Sequence, residues 1–442
     1  MSAPRVPGPA AWQALPLALR LLRDPREVIV ECTRRYGLVW RSLAPGRRGL
    51  VPLYWLMGPA GNERILAPPY RDDFSWYEGY AFTMEPLFGR DILFLLDDLD
   101  GDAAHRRRHR LLLPAFHPSM DAVYLDAMQD IILRRMAAWP DEGEVNLGIE
   151  VKQMTFHMVA RILFGAQQEH LPALYRDFEE LGLGLYSILR LPLPGSRFQR
   201  GLRARARLLS YIQGRIAGGA AGAGSGTLLG QLLARQGGEG EALSADTLVG
   251  EVLAFLFAGY DTTASLLTSF LVCLCSRPEV LGEVQREAIA LSKLDAANLA
   301  GQQWLNAALL EAERLMPPLV FALRGVRRGF RFGGYDIEAG SKVAYSSYYT
   351  GRMAELFPEP ERFLPERFLG GRRPPPYSVL GFGGGHRSCI GKRFAQLEMR
   401  LLTTLLLRTF DLWPVPDQPE EVFFNPTLQR RGGYRVRVRR RR

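Results

Sequence analysis

The chain has 442 residues, 47% of them hydrophobic and 23% charged, the balance of a globular protein able to bury a large core and not of a disordered or fibrous one. Its formal net charge of +10 is carried almost wholly by arginine, since Lys152, Lys293, Lys342 and Lys392 are the only lysines; a bias this complete reflects coding composition more than a nucleic-acid site. Four scattered cysteines, Cys32, Cys273, Cys275 and Cys389, exclude a disulfide framework and an iron–sulfur cluster and fit a reducing cytoplasm.

In chain order, residues 10–22 are apolar but short and contain Arg20, whereas a bilayer span needs about 20 apolar residues. No signal peptide or membrane span is expected, and the chain is expected to be soluble. Alternating residues 53–57 predict a strand. From about 100 to 320 apolar residues recur at three- and four-residue spacing, which predicts a helical body. Within it lie the basic run His105-Arg106-Arg107-Arg108-His109-Arg110 and an apolar loop at 191–194, Leu-Pro-Leu-Pro, which either flanks an entrance or membrane surface or packs as a turn. Two glycine-rich breaks, 217–226 and 237–240, read as mobile inter-helix loops and not as domain boundaries.

A long helix is predicted from Ser244, a good N-cap, to about Ser276, ahead of Pro278. Its middle breaks the apolar pattern: Ala258-Gly259-Tyr260-Asp261-Thr262-Thr263 sets a glycine, costing about 1 kcal/mol in a helix interior, beside a carboxylate and two hydroxyls. Local rules broken together inside a core element mark a functional site; the plainer alternative is a kink stabilised by threonine hydroxyls bonding back along the helix.

Further on, Glu311-Ala312-Glu313-Arg314 precedes Pro317-Pro318. Glu311 and Arg314 share a helix face at i,i+3, alone a pair worth a few tenths of a kcal/mol, roughly, on a surface. Residues 330–345, punctuated by Gly333-Gly334 and Ala339-Gly340, predict hairpin strands. The run Gly381 to Gly391 reads Gly-Phe-Gly-Gly-Gly-His-Arg-Ser-Cys-Ile-Gly. Its glycines allow a tight bend, and Cys389 sits just ahead of a helix whose N-terminal dipole favours a thiolate. Zinc would want about four Cys or His ligands, and only His386 is near in sequence. A Cys nucleophile needs a positioned base, and six histidines leave that open on spacing alone. The other arrangement is a single thiolate beneath a metal that brings four nitrogen ligands of its own, haem iron. The arginine-rich tail, 435–442, is expected to be a solvated, disordered end.

Phe382, Gly385, Arg387, Cys389 and Gly391 fill every fixed place of the haem-binding signature Phe-x-x-Gly-x-Arg-x-Cys-x-Gly, and in this the chain resembles the cytochrome P450 family. The resemblance implies a mainly α fold with a small β-rich lobe, one catalytic domain over 1–442, the lobe drawn from about 1–70 and 319–370 plus the C-terminal strands. It implies haem b, with Cys389 as iron ligand, Phe382 and Gly391 framing its loop, and Arg387 and Arg324 as propionate partners. The segment 258–263 matches the family's Ala/Gly-Gly-x-Asp/Glu-Thr-Thr/Ser motif, so that Thr262 would line the oxygen groove and Asp261 relay protons. Glu311, Arg314 and Arg367, the last from Pro365-Glu366-Arg367-Phe368, would form a structural triad.

Two departures stand out. In the family helix reading Trp or His, then x-x-x-Arg, with a closing phenylalanine, His105 and Phe116 fit but His109 takes the arginine's place; either His109 is protonated and substitutes, or Arg108 or Arg110 reaches in. Gly351-Arg352-Met353-Ala354 replaces the frequent His-Arg-Asp-Pro.

The implied activity is a monooxygenase reaction on a lipophilic substrate, in a cavity lined by residues of 74–96 with Phe94, Phe257, Ala258, Val320 and Phe321. About 50 residues follow Cys389, too few for a fused reductase of domain size, so electrons are expected from NAD(P)H through a separate ferredoxin or flavodoxin. That donor would dock on a basic patch of Arg106, Arg107, Arg108, Arg110, Lys392 and Arg393. The protein is expected to be a cytoplasmic monomer without nucleic-acid contact. Members of the family anchored in membranes carry a span before a Pro-rich hinge, and the chain opens near such a hinge, Pro7-Gly8-Pro9. Two rival functions are a peroxygenase or isomerase that does not reduce dioxygen, and a non-catalytic haem sensor or carrier.

Overall fold

A computed structural model describes residues 4–46, 49–97, 103–185, 187, 190–219, 224, 226–235, 243–424 and 427–442. Near the start of the chain a hairpin pairs Val39–Gly46 with Gly49–Leu56. The expected strand at 53–57 is therefore the second half of a longer one. Its partner strand was hidden by Arg41, Ser42 and Pro45, which interrupt the apolar alternation. Buried Trp40 and Trp55 stack at 4.8 Å across the hairpin, each indole N–H donating to a hydroxyl, of Thr33 and Ser42.

The sheet continues through Lys342–Tyr345, parallel to Gly49–Leu56, then Ala322–Val326 and the short Phe74–Ser75. The strand after the two prolines runs from Ala322 to Val326. Arg324 thus lies inside the strand. The glycine pairs punctuate 330–345 as expected, with strands at Phe330–Phe332 and Tyr335–Ile337.

The helical body is built around Ala245–Cys275, a 31-residue helix whose N-cap Ser244 accepts the backbone N–H of Thr247. It packs against Leu147–Phe164, Arg197–Ala217 and Gln303–Leu315. Among the described residues it is the one helix long and apolar enough to cross a membrane, but 67% of its most apolar stretch is buried in the protein, as for a core helix. Leu191 and Leu193 are exposed, in line with the apolar loop read there. The break at 217–226 lies only partly within the described residues, and 237–240 lies outside them.

The arginine-rich tail is not a disordered end. Arg435–Arg440 is the central strand of a three-stranded sheet, antiparallel to Glu142–Asn146 on one side and Phe410–Pro414 on the other. Val436 and Val438 point into the large core with Phe410 and Leu412, while Arg435 and Arg437 face Glu144 and Arg439 faces Asp411. The period-two valines were the strand signal, masked by the charge between them. Just before it, Val422–Phe424 pairs with Leu428–Arg430, and this hairpin reaches the long helix, where Ser265 donates to Leu428 O at 2.5 Å.

Candidate active site

The loop carrying Cys389 is bent by glycines in backbone conformations that other residues rarely adopt. Gly383 and Gly385 have φ of +69° and +64°, the left-handed region, and a Cβ at Gly385 would lie 1.9 Å from Leu66 O. Cys389 N donates to Phe382 O at 2.9 Å, closing the loop, and the helix Lys392–Thr409 follows at once. Burial pushes the Cys389 thiol up, while backbone N–H groups of Gly391 and Lys392 and the Lys392 ammonium favour the thiolate. The side chain is exposed, but it faces an internal cavity.

Behind the loop the expected triad meets. Arg314 forms a bidentate pair with Glu311, 2.7 Å at each contact, both side chains fully buried. Arg367 reaches Glu311 Oε1 at 3.2 Å, and Leu364 N donates to the same oxygen. Arg314 also donates to the carbonyls of Gly351, Pro360 and Arg362, so the departing segment at 351–354 still takes part through its backbone.

Across the cavity lies the flawed turn of the long helix. Thr262 Oγ1 donates to Ala258 O at 2.5 Å, the backward bond expected from its position, yet the helix runs through unbroken. Gly259 has a packing reason as well, since a Cβ there would lie 3.3 Å from Val159. Asp261 turns to the C-terminal hairpin: Thr427 Oγ1 donates to one carboxylate oxygen at 2.8 Å and Gln429 Nε2 to the other at 3.1 Å. Gln429 Oε1 in turn accepts from Lys152 Nζ at 2.8 Å. Burial raises the Asp261 carboxyl to about 6 against the opposing pull of Lys152 and Thr427. Thr427, Gln429 and Lys152 were missed in the sequence because no local pattern ties them to Asp261.

At one end of the cavity sit His105, His109 and Arg387, with Arg324 beside them. Arg324 stacks 3.5 Å from the centroid of the Trp76 ring. Arg387 donates to Leu96 O at 2.6 Å and pairs with Asp97 at 3.6 Å. Trp76 belongs to the aromatic segment 74–96 expected to line the cavity; Asp97 had no sequence signal. Burial, then the nearby Arg387, lowers His105 to about 3 and also lowers His109, which opposes the protonated form expected of His109. The suggestion that Arg108 reaches into this end is overturned. Its guanidinium is held by buried Glu251 and by Asp91, 3.0 Å away. Arg110 points outward and is exposed.

The cavity measures about 410 Å³. Phe94, Phe257, Ala258 and Phe321 line it as expected; Val320 does not, being fully buried in a separate core with Trp40 and Trp55. Among the described residues no cluster of three or more His, Cys, Asp or Glu can hold a metal. Haem brings four nitrogen ligands of its own to such a single thiolate, and the cationic and imidazole groups at one end suit the two carboxylates that haem carries.

The chain matches the cytochrome P450 family model over residues 6–438. The putative cytochrome P450 120 of Synechocystis sp. is 33% identical over 341 residues, 76% of this chain and 77% of that protein. Cytochrome P450 26A1 of Gallus gallus is 28% identical over 453 residues, 96% of this chain and 88% of the relative. The structure of retinoic acid-bound cyanobacterial CYP120A1 superposes with a TM-score of 0.88 at 28% identity, over all of both chains. The cytochrome P450DA haem domain, at 22% identity and a TM-score of 0.86, shares the fold. The chain therefore belongs to the cytochrome P450 family of haem-thiolate monooxygenases.

Proposed function

We propose that the protein inserts one oxygen atom of dioxygen into a lipophilic substrate, with Cys389 as the residue that would hold the iron of haem b. The observation that carries this reading is that Cys389 and the Asp261-Thr262 pair, far apart in sequence, line one largely apolar cavity. Bound there, the haem supplies dioxygen activation and atom transfer, driven by electrons from outside. The chain's part is to position groups and move protons.

Cys389 would hold the iron through its sulfur, with the N–H groups of Gly391 and Lys392 favouring the thiolate. Gly391 lies between Cys389 and Phe116, where a Cβ would meet each in ordinary contact at 3.9 Å, and Phe382 holds Cys389 N by its carbonyl. Arg324 and Arg387 would offer charged donors to the propionates, and His105 and His109 ring N–H donors. Thr262, its own proton engaged by Ala258 O, can accept from a water in the groove. Asp261, with its carboxyl near 6, can gain and lose a proton at ordinary pH, and the Gln429–Lys152 chain links it toward a half-buried lysine.

For the electrons we infer a separate ferredoxin or flavodoxin fed by NAD(P)H. Exposed Arg106, Arg107, Arg110 and Lys392 support an acidic partner. Arg108 is taken up by Glu251, and Arg393 pairs with Asp121. The four cysteines, all free, support a reducing cytoplasm, with the protein as a monomer. The aromatic wall of Tyr80, Phe94, Phe255, Phe257, Phe321 and Phe424, with the retinoic acid bound by the cyanobacterial relative, favours a long unsaturated isoprenoid as substrate.

Turnover separates the rivals. Product should form with ferredoxin, its reductase, NAD(P)H and dioxygen; product from peroxide alone would indicate a peroxygenase, and ligand binding without product a sensor or carrier. Across a panel of retinoids, other terpenoids, steroids and fatty acids, the haem spin-state shift should be largest for the isoprenoids.

A further inference from the structure

The segment that follows helix Trp76–Phe88 carries Leu93 and Phe94 into the cavity wall, and side chains of the long helix hold it there. Glu251, 1% exposed, accepts the Leu93 backbone N–H at 2.8 Å and the Arg108 guanidinium, both on Oε1. Arg108 also donates to Asp91 Oδ1 at 3.0 Å, and Thr247 Oγ1 donates to Asp91 Oδ2 at 2.7 Å. The segment lies close on the helix at Gly250, where a Cβ would sit 3.3 Å from Ile92 and 3.6 Å from Phe88 O. Further along, Arg387 donates to Leu96 O, but that arginine is also read as a propionate partner. Glu251 and Arg108 hold the segment without it.

We propose that Glu251 is a positioning residue for the substrate wall: one carboxylate oxygen pins Leu93 and, through Arg108, ties the wall to helix Ala104–Leu112. How closely Leu93 and Phe94 meet what fills the cavity is thereby set from the long helix. This rests on the reading of the cavity as the haem and substrate site. The latch needs no charge on Glu251. Burial raises its carboxyl to about 7, and Oε2 is buried without a hydrogen-bond partner, so a proton taken up there leaves both bonds to Oε1 in place. A buried backbone N–H stripped of its acceptor is costly, so loss of Glu251 should displace Leu93. Phe94, whose ring packs edge-on to Phe255 at 5.8 Å, would move with it.

The test compares the affinity of the haem-loaded protein for 4-phenylimidazole, whose phenyl ring must occupy the cavity, with that for imidazole, which is too small to reach the wall. Both are read from the haem spectrum. Glu251→Ala and Arg108→Ala are expected to weaken 4-phenylimidazole about tenfold, the scale of one lost hydrogen bond to a charged group, and to leave imidazole unchanged. Glu251→Gln, which keeps a carbonyl oxygen in the place of Oε1, is expected to stay near wild type. An unchanged ratio of the two affinities in the Ala variants would overturn the proposal, as would a Gln variant that falls as far as Ala. So would an equal loss of both ligands, since the role would then be to hold the haem pocket as a whole. Should the Ala variants load no haem, hydrogen exchange at Leu93 in the wild type decides: slow exchange is expected, and exchange as fast as in exposed chain would overturn the latch. The carbon monoxide band of the reduced wild type reports the haem reading independently, so its failure is told apart from a failure of this proposal.

Discussion

The two walls of the cavity bring polar groups to its centre by opposite means. On the Cys389 side a glycine-bent loop is held by density of bonding: a buried bidentate ion pair, Arg367 on the same carboxylate, and three backbone carbonyls on Arg314. On the other side a regular helix keeps its ladder, and the polar groups are added within it. Thr262 satisfies itself on Ala258 O, and Asp261 is restrained by side chains of the C-terminal hairpin. The first wall is rigid because a metal ligand must not move. The second has groups whose protons can.

Substitutions should therefore fail differently on the two sides. The largest effect is expected from Cys389→Ser, which should abolish monooxygenase turnover. Arg314→Ala leaves Glu311 buried without its main counter-ion, a loss of about 3–5 kcal/mol; a thermal melt and haem content should show a protein that folds poorly or loads no haem. The helix wall should tolerate change in folding and fail in chemistry. Asp261→Asn is expected to retain haem but to lower the substrate-dependent rate by about 100-fold, the loss of one positioned proton donor. Thr262→Ala should keep both haem and much of the electron flow while diverting reducing equivalents to peroxide, read as the ratio of product to NAD(P)H consumed.

The Asp261 carboxyl also makes a pH prediction with a definite sign. Its value is raised from 3.8 to about 6, so the folded protein binds a proton there that the unfolded chain has released. Its contribution to stability is present below about pH 4 and is lost as pH rises through 6. Asp261→Asn should thus gain stability relative to wild type above pH 6 and not below pH 4. The rate of the wild type should carry a limb near pH 6 that the Asn variant lacks. The smallest effect is expected from Lys152→Met, which removes a charge that holds Asp261 down and should move that limb upward by a fraction of a unit.

Both walls were legible in the sequence where their chemistry is contiguous. The cysteine loop, the break at 258–263 and Glu311 with Arg314 are short motifs whose residue types fix their local geometry. Their partners were not legible. Thr427, Gln429 and Lys152 meet Asp261 only because a hairpin and a second helix fold against it. Charge misled twice. Arg108 looked like a replacement for a missing propionate contact, yet buried Glu251 claims it, and the tail's arginines concealed Val436 and Val438, which make it a core strand.

The central claim, a haem held by Cys389 against Asp261 and Thr262, is tested most directly by the spectrum of the reduced wild-type protein under carbon monoxide. Thiolate ligation predicts a strongly red-shifted Soret band that disappears in Cys389→Ser. A band at the unshifted position in freshly reduced, folded wild-type protein would contradict it.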